Sequence, residues 1–189
     1  GVWWQSIPSA WRHRITIDNE ITTEKDYTAI HFYMLYNEVN TEANRKYPEE
    51  MVDEFGIFDP YDLSTFNDWQ DQDIKKFRTV TKLAMNIMLN ADSEDSAIRA
   101  FRKDRKKMIL PTGYDTWQDF VDHIKDKHHQ ISSSFCSGQG IYYQFQDSKV
   151  ANRVMDIMGT EHGIAVLPVH DSFICKVKDE NKLEEAMVR

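Results

Sequence analysis

Two aspartates, far apart in the sequence, could together bind a metal ion. Asp171 lies within Gly163–Val177, where apolar residues on both sides of His170, Asp171 and Ser172 predict a β-hairpin with its turn at the aspartate. A carboxylate held between two strands is well placed to bind a cation. Asp and Ser are also common in ordinary surface turns, which is the alternative interpretation. Asp26 ends a second strand-like run, and this second carboxylate favours the metal site.

The segments around Asp26 predict how that residue is positioned. Arg14–Lys25 has the β-type residues of a hairpin, with a turn at Asp18 and Asn19. Asp26 then ends the second strand, and residues 28 to about 44 predict a helix. Two prolines and a glycine predict short helices and loops over the segment 47–71.

The middle of the chain predicts a set of helices. Asp73–Leu89 has apolar residues at the i, i+3, i+4 spacing of a buried stripe, and Arg78 and Lys82 stand one turn apart on another face. Ser93–Lys107 and Thr116–His128 predict two further helices.

The two ends of the chain are less uniform. Gly1–Trp11 carries three Trp residues and predicts an irregular apolar segment packed on the body of the protein. The composition of Ser132–Gly140 predicts a flexible loop. Tyr142–Met158 predicts a helix that leads to the second hairpin, and Glu180–Val188 predicts a last helix.

Composition indicates a globular protein of one domain. The chain has 189 residues, of which 41% are hydrophobic and 29% charged. No apolar run reaches membrane-spanning length, and there is no signal-peptide pattern at the N-terminus. Cys136 and Cys175 are isolated, which favours a reducing compartment. The net charge is −8, but Arg99–Lys107 is locally basic and is either a solvated surface or a contact for a nucleic-acid backbone.

Three short motifs occur on the predicted strand, helix and hairpin. They are Asp26-Tyr-Thr-Ala-Ile-His-Phe, Arg78-Thr-Val-Thr-Lys and Val169-His-Asp-Ser-Phe. The first resembles the Asp-Tyr-Ser-x-Ile-Glu-Leu palm motif of family A DNA polymerases, and the second resembles their Arg-x-x-x-Lys fingers-helix motif. The third resembles the last palm motif, which is Val-His-Asp-Glu in those enzymes and His-Asp-Ser-Phe in the related single-subunit phage and mitochondrial RNA polymerases. The resemblance covers residues 14–187.

The resemblance implies an α+β fold, in which the antiparallel palm sheet of a right-hand polymerase carries a helical fingers insert. Residues 1–25 would begin the palm, and residues 26–47 would hold the first palm motif and the helix after it. Residues 48–130 would form the fingers-like insert, and residues 131–189 would return to the palm with the last motif. A thumb and an exonuclease domain are absent from this organisation. Since Gly1 is not a natural start, we expect a missing N-terminal region of the same protein.

The resemblance also implies a template-directed nucleotidyltransferase that adds dNTPs to a primer 3′ end. Asp26 and Asp171 would be catalytic and would bind two Mg²⁺ ions about 4 Å apart, for which Mn²⁺ could substitute. The backbone carbonyl of Tyr27 would complete one metal site. Lys82, also catalytic, and Arg78 would face the triphosphate and stabilise its charge.

Further positions would contact the nucleotide or the template-primer. The nucleotide residues would also include His31, Asn86 and Asn90, and the nucleic-acid residues would be Gln144 and His170. His31 replaces a Glu and Asn90 replaces a Tyr of the DNA enzymes, so we predict that this pair forms the gate for the sugar 2′ position. The partners would be template-primer and nucleoside triphosphates, without a membrane. The compartment would be the cytoplasm of a bacterial or phage-infected cell, or its nucleoid.

Several alternatives remain open at this point. Val-Thr-Lys and His-Asp-Ser-Phe favour an RNA polymerase or a primase-like relative, and Ser172, in place of a second acidic residue, is compatible with a non-catalytic module made from a degenerate polymerase. A metal-dependent phosphohydrolase would use His170 and Asp171 with other histidines. Arg78 and Lys82 could instead form a solvated face. A metal site at His123, His128 and His129 lacks a spaced Cys or acidic partner.

Overall fold

The computed structural model describes residues 2–39, 58–64 and 69–189. Its α-helices are α1 (Ser9–Arg12), α2 (Ile30–Val39), α3 (Asp71–Asn90), α4 (Glu94–Lys103), α5 (Trp117–Lys127), α6 (Gly140–Asp156) and α7 (Glu180–Met187). Its strands are β1 (Thr16–Ile17), β2 (Glu20–Asp26), β3 (Leu167–Val169) and β4 (Ser172–Lys176). No described helix is long and apolar enough to cross a membrane.

The chain divides into two compact units. The first contains Gly1–Ile30 and Phe145–Arg189, and the second contains His31–Gln144. The first unit is built on a four-stranded sheet in the order β1-β2-β4-β3, in which every neighbouring pair is antiparallel. Helices and an antiparallel sheet together confirm the predicted α+β class.

Both predicted hairpins are present in the first unit. Asp18 and Asn19 connect β1 to β2 with φ angles of 51° and 63°, the left-handed conformation that two-residue hairpin loops require and that Asn and Asp tolerate best among residues with a side chain. His170 and Asp171 connect β3 to β4, and His170 also has a positive φ, of 53°. The local turn chemistry therefore predicted both connections at the right residues.

Strand β4 lies in the middle of the sheet and is covered on both faces. Phe173 and Cys175 pack with apolar residues of α6 and α7, whereas Ile174 packs on the opposite face with Ile15 and Val169. The predicted alternation beyond Cys175 was wrong, because Val177 begins a 3₁₀ turn and is 42% exposed.

The N-terminal segment is more regular than its composition predicted. It forms a 3₁₀ helix (Trp3–Ser6) before α1. Trp4 packs under β3, where its indole N–H donates to the Pro168 carbonyl at 3.1 Å. Trp3 and Trp11 stay largely exposed. The segment therefore covers one face of the sheet with only part of its apolar surface.

The second unit contains most of the predicted helices, and two of them begin with a side-chain cap. Ser93 caps α4, and its Oγ accepts the backbone N–H of Ser96. Thr116 and Asp119 form a reciprocal capping box at the start of α5. The predicted extension of α2 to about residue 44 and most of the predicted segment 47–71 lie outside the described residues.

The segment Ser132–Gly140, predicted to be a flexible loop, is a loop only in part and is held by backbone hydrogen bonds. Its first residues belong to a 3₁₀ helix (His129–Ser134), in which Ser134 is buried. Further along, the backbone N–H of Cys136 donates to the Met88 carbonyl at 2.7 Å, and that of Gly138 donates to the Ala91 carbonyl at 2.9 Å. These bonds fix the segment against the end of α3, which its Ser- and Gly-rich composition did not predict.

Candidate functional site

The two aspartates lie at the same end of the sheet. Strands β2 and β4 are paired from Thr22 with Lys176 to Asp26 with Ser172, and Asp171 directly precedes Ser172. Beyond the last pair, the backbone N–H of Tyr27 donates to the carbonyl of Asp171 at 3.1 Å. Because directly paired residues have Cα atoms about 5 Å apart, the backbones that carry Asp26 and Asp171 are immediate neighbours. Asp26 is exposed and Asp171 is half-buried.

Tyr27 turns its side chain away from solvent. Its ring packs edge-on against Phe173, and its hydroxyl donates to the Met187 carbonyl at 2.6 Å. Burial raises the pKa of the Tyr27 phenol to about 12, and the charge of Asp147 adds to the effect. Since the phenol and the N–H both have partners, the backbone carbonyl is the Tyr27 group that remains for a metal ion.

Two strained backbone positions adjoin the aspartates. Ala29, at the junction between β2 and α2, has a φ of 54°, and His170 has a φ of 53°. A left-handed conformation in a residue other than Gly costs on the order of 1 kcal/mol and is found preferentially at functional sites. Ala29 lies three positions after Asp26, whereas His170, directly before Asp171, has the positive φ that its two-residue hairpin loop requires.

A charged network beside the pair was not predicted from the sequence. Arg12 binds the Glu24 carboxylate with two hydrogen bonds of 2.9 Å and 2.7 Å, and the buried Ser172 donates to the same carboxylate at 2.6 Å. Burial raises the pKa of Glu24, but the hydrogen bonds from Arg12 and Ser172 outweigh it, so that the pKa is lowered overall. The network connects helix α1, the strand of Asp26 and the strand that follows Asp171.

Arg12→Met is expected to lower the free energy of unfolding by about 1–2 kcal/mol, because the partly buried Glu24 carboxylate loses its charged partner. The variant should also raise the pKa of Glu24. Chemical denaturation at neutral pH measures the first effect. Arg14→Met is the matched control, since Arg14 is exposed and lies over the Trp11 ring at 4.2 Å. Equal stability of the two variants would contradict the assigned role of the Arg12–Glu24 pair.

Lys25 also has a structural explanation. This residue stands in the strand directly before Asp26, where the resemblance leads one to expect an apolar side chain. Its ammonium group lies 2.5 Å from a Glu180 oxygen and 2.6 Å from a Glu184 oxygen, so that it joins β2 to α7. The hydrogen bonds to these two carboxylates raise the pKa of Lys25.

In the second unit, Arg78 and Lys82 lie one turn apart on α3, as predicted. The Arg78 Nε donates to Asp59 Oδ2 at 2.5 Å, and its guanidinium lies 5.5 Å from the centre of the Tyr61 ring. The Lys82 ammonium lies 5.7 Å from the same ring and is exposed. The two cations therefore share one aromatic surface, and Arg78 already has a carboxylate partner.

The first turn of α6 contacts both residues of the predicted sugar gate. The half-buried His31 ring lies 6.4 Å from the Tyr143 ring. Asn90 packs against Gly140, where a Cβ atom would lie 1.9 Å from Asn90 Oδ1. Asn90 also donates to the backbone carbonyl of Asn86 at 2.8 Å. A side chain larger than hydrogen at position 140 would thus displace Asn90.

The two residues predicted to contact nucleic acid lie at the surface, whereas the central residue of the alternative histidine site is buried. Gln144 and His170 are both exposed. His128 is fully buried, and its two ring nitrogens bond the Tyr36 hydroxyl at 2.8 Å and the Pro60 carbonyl at 3.0 Å. With both nitrogens occupied, His128 has no atom left for a metal, which removes the alternative of a histidine cluster around it.

The donor set at the two aspartates fits Mg²⁺. Among residues 2–39, 58–64 and 69–189, no group of three or more His, Cys, Asp and Glu side chains could hold a metal ion. Mg²⁺ does not require such a group, since proteins usually bind it through one or two carboxylates together with substrate phosphates and water. Asp26 and Asp171 supply that number of carboxylates.

No protein-family model matches the chain, and no curated protein and no solved structure matches it either. The resemblance to the polymerases therefore depends on the three motifs alone. The positions of the residues within each unit do not depend on that resemblance.

Proposed function

We propose that the chain is the core of a template-directed nucleotidyltransferase that extends a primer with dNTPs, with the first unit as palm and part of the second as fingers. The observation that carries the proposal is the register of β2 with β4, which makes Asp26 and Asp171 neighbours although 144 residues separate them in the sequence. Two aspartates carried on neighbouring backbones at the end of a sheet are of the residue type that binds a multivalent cation such as Mg²⁺.

In this proposal the protein supplies position and charge. A bond forms between the primer 3′ oxygen and the α-phosphorus of the nucleotide while the bond to pyrophosphate breaks. Mg²⁺ bound by Asp26, Asp171 and the Tyr27 carbonyl would stabilise negative charge on the phosphates. Lys82 would donate hydrogen bonds to the triphosphate, and its exposed ammonium group is ready to do so.

Arg78 must change its partner to take part. Its guanidinium is bonded to Asp59, so a triphosphate would have to replace that carboxylate as the acceptor. A triphosphate carries more negative charge than one carboxylate, and an arginine binds a phosphate with two parallel hydrogen bonds. In the proposal, Lys82 therefore contacts the triphosphate first, and Arg78 contacts it after releasing Asp59.

Extension of a labelled primer, with a template and Mg²⁺, tests the proposal. We expect addition of the complementary dNTP and no addition when Mg²⁺ is removed with a chelator. Absence of addition with dNTPs and with rNTPs, under conditions in which the chain is folded, would overturn the proposal in favour of the non-catalytic module.

RNA synthesis is the second candidate. Ser172 belongs to the His-Asp-Ser-Phe sequence of the RNA enzymes, and its hydroxyl is buried and bonded to Glu24 rather than left without a role. The same assay separates the two candidates, because preferential addition of rNTPs favours the RNA polymerase.

His31→Ala and Asn90→Ala are expected to change the preference for dNTP over rNTP by about tenfold each, since each removes a side chain predicted to crowd or bond the 2′ position. Competition between the two nucleotides in primer extension measures this. Asn37→Ala is the control, because Asn37 is exposed on the same helix as His31. Unchanged preference in both variants would exclude the gate while leaving the polymerase proposal intact.

A further inference from the structure

A dense basic surface lies at the end of α4 and in the turn after it. Six of the nine residues in Arg99–Lys107 are cationic and one is acidic, which gives this run a charge of +5. Since the whole chain carries −8, the remaining residues carry −13. We call this run the α4 basic surface; its cations are Arg99, Arg102, Lys103, Arg105, Lys106 and Lys107, and all six are exposed.

The fold holds these cations outward. Phe101, within the run, and Met108, directly after it, are buried and fix the run to the core of the second unit. The acidic residue of the run, Asp104, accepts the backbone N–H of Lys107 on its side chain at 3.3 Å and that of Met108 on its carbonyl at 2.8 Å. Its carboxylate therefore stabilises the turn and does not form an ion pair with the neighbouring cations.

The cations of this surface also differ from many others in the chain. Arg12, Lys25, Lys125 and Lys176 all lie within ion-pair distance of a carboxylate. None of the six forms such a pair with a described residue. Cations in the last turn stabilise a helix through its dipole, which accounts for Arg102 and Lys103. The helix dipole does not account for Arg99 or for the three successive cations beyond the helix.

The shape next to this surface suits an extended chain of phosphates. Arg99 and Arg102 line an open groove of about 470 Å³ with Thr116 and Gln118, whose side chains are neutral and polar. Asp95 lies at the same groove, one helical turn before Arg99, and limits the positive region on that side. Trp117, the aromatic residue next to the groove, packs on Phe101 and is not presented for base stacking. Contact with backbone phosphates is thus favoured over contact with bases.

We propose that the α4 basic surface binds the phosphodiester backbone of a nucleic acid without regard to its base sequence. This deepens the proposed function by naming a surface of the second unit that holds the template-primer, and it rests on that function for the choice of nucleic acid over other polyanions. Binding requires no Mg²⁺ and no catalysis, because the charges are permanent and lie on a part of the chain that does not include the two aspartates.

The experiment measures fluorescence anisotropy of a labelled primer–template duplex, with a chelator present, over a range of NaCl from about 50 to 200 mM. The test variant is Arg102→Gln/Arg105→Gln/Lys106→Gln. The matched control is Lys75→Gln/Arg153→Gln/Lys182→Gln, which removes the same charge from exposed positions elsewhere. Thermal melting establishes that both triple variants are folded.

We expect the test variant to bind the duplex at least about tenfold more weakly than the wild type at low salt, and the slope of log K against log salt to fall by about 2–3. The control should retain most of the affinity. Equal effects of the two triple variants, or no binding by the wild type, would overturn the inference. A third outcome would also overturn it: the wild type binds vesicles of anionic phospholipid, and the test variant loses vesicle binding but keeps duplex binding.

The result is separable from that of the primer-extension assay. Duplex binding that depends on the α4 basic surface, in a chain that adds no nucleotide, would retain this inference and reject the polymerase. Nucleotide addition by the chain, together with unaltered duplex binding in the test variant, would retain the polymerase and reject this inference.

Discussion

Asp26→Asn and Asp171→Asn are each expected to lower the rate of primer extension by about a thousandfold or more, because each removes a charged ligand of Mg²⁺. An amide keeps the shape of the carboxylate but not its charge, so the sheet and its register should be retained. The two variants should not be additive, since either one alone disables the same metal site. Single-nucleotide addition under excess enzyme measures the rate without the influence of product release.

Asp156→Asn is the matched control for this prediction. Asp156 is an exposed carboxylate of the first unit, at the end of α6, and has no place in the motifs. We expect its rate to equal that of the wild type. Retention of a substantial rate by Asp171→Asn would contradict the assignment of the metal ligands. Partial recovery of that variant at high Mn²⁺ would support the assignment, because Mn²⁺ binds nitrogen and oxygen ligands more tightly than Mg²⁺ does.

Local patterns were sufficient to predict the elements that carry the two aspartates. Asp18 and Asn19 favour the left-handed backbone of a tight hairpin, and the apolar run before His170 favours a strand. The α+β class, which the resemblance implied, is also confirmed. What the local patterns did not determine is which strands pair, because pairing of Asp26 with Ser172 depends on the packing of both sheet faces.

The charged partners around the site could not be predicted for a related reason. Glu24 is two residues from Asp26, but its partners Arg12 and Ser172 lie 12 and 148 residues away from it. The pairing of Arg78 with Asp59 spans 19 residues. No periodicity of one element indicates a contact between two elements, and an ion pair leaves no pattern in the surrounding sequence. The Arg12–Glu24–Ser172 network was therefore visible only in the structure.

The second large effect that we expect concerns His128 and the stability of the second unit. Burial lowers the pKa of His128 to about 4 from an ordinary value of 6.5; a bond to the Pro60 carbonyl acts in the opposite direction, and the nearby His129 adds to the lowering. The neutral ring accepts from the Tyr36 hydroxyl and donates to the Pro60 carbonyl, so that protonation would remove the acceptor of the first bond and leave a buried charge.

The sign of the pH dependence follows from these pKa values. The unfolded chain binds a proton at His128 below about pH 6.5, whereas the folded chain does so only below about pH 4, so stability is full above the first value and decreases as the pH falls towards the second. A difference of about 2.5 pKa units corresponds to about 3 kcal/mol. Chemical denaturation at several pH values between these limits measures the loss.

Substitution separates His128 from the other groups that titrate in this range. Burial also lowers the pKa of His123 from 6.5, and Glu24 and Glu94, whose pKa values are lowered from 4.5, lose stabilising charge at the acid end of the range. His128→Gln should be less stable at neutral pH by about 1–3 kcal/mol, because buried hydrogen bonds are lost, and should show a shallower dependence on pH. His129→Gln, at the exposed neighbouring position, should keep the slope of the wild type. An unchanged slope in His128→Gln would mean that the ring is protonated, or accessible to water, in the folded chain. The buried bonds to Tyr36 and Pro60 would then not describe the protein in solution.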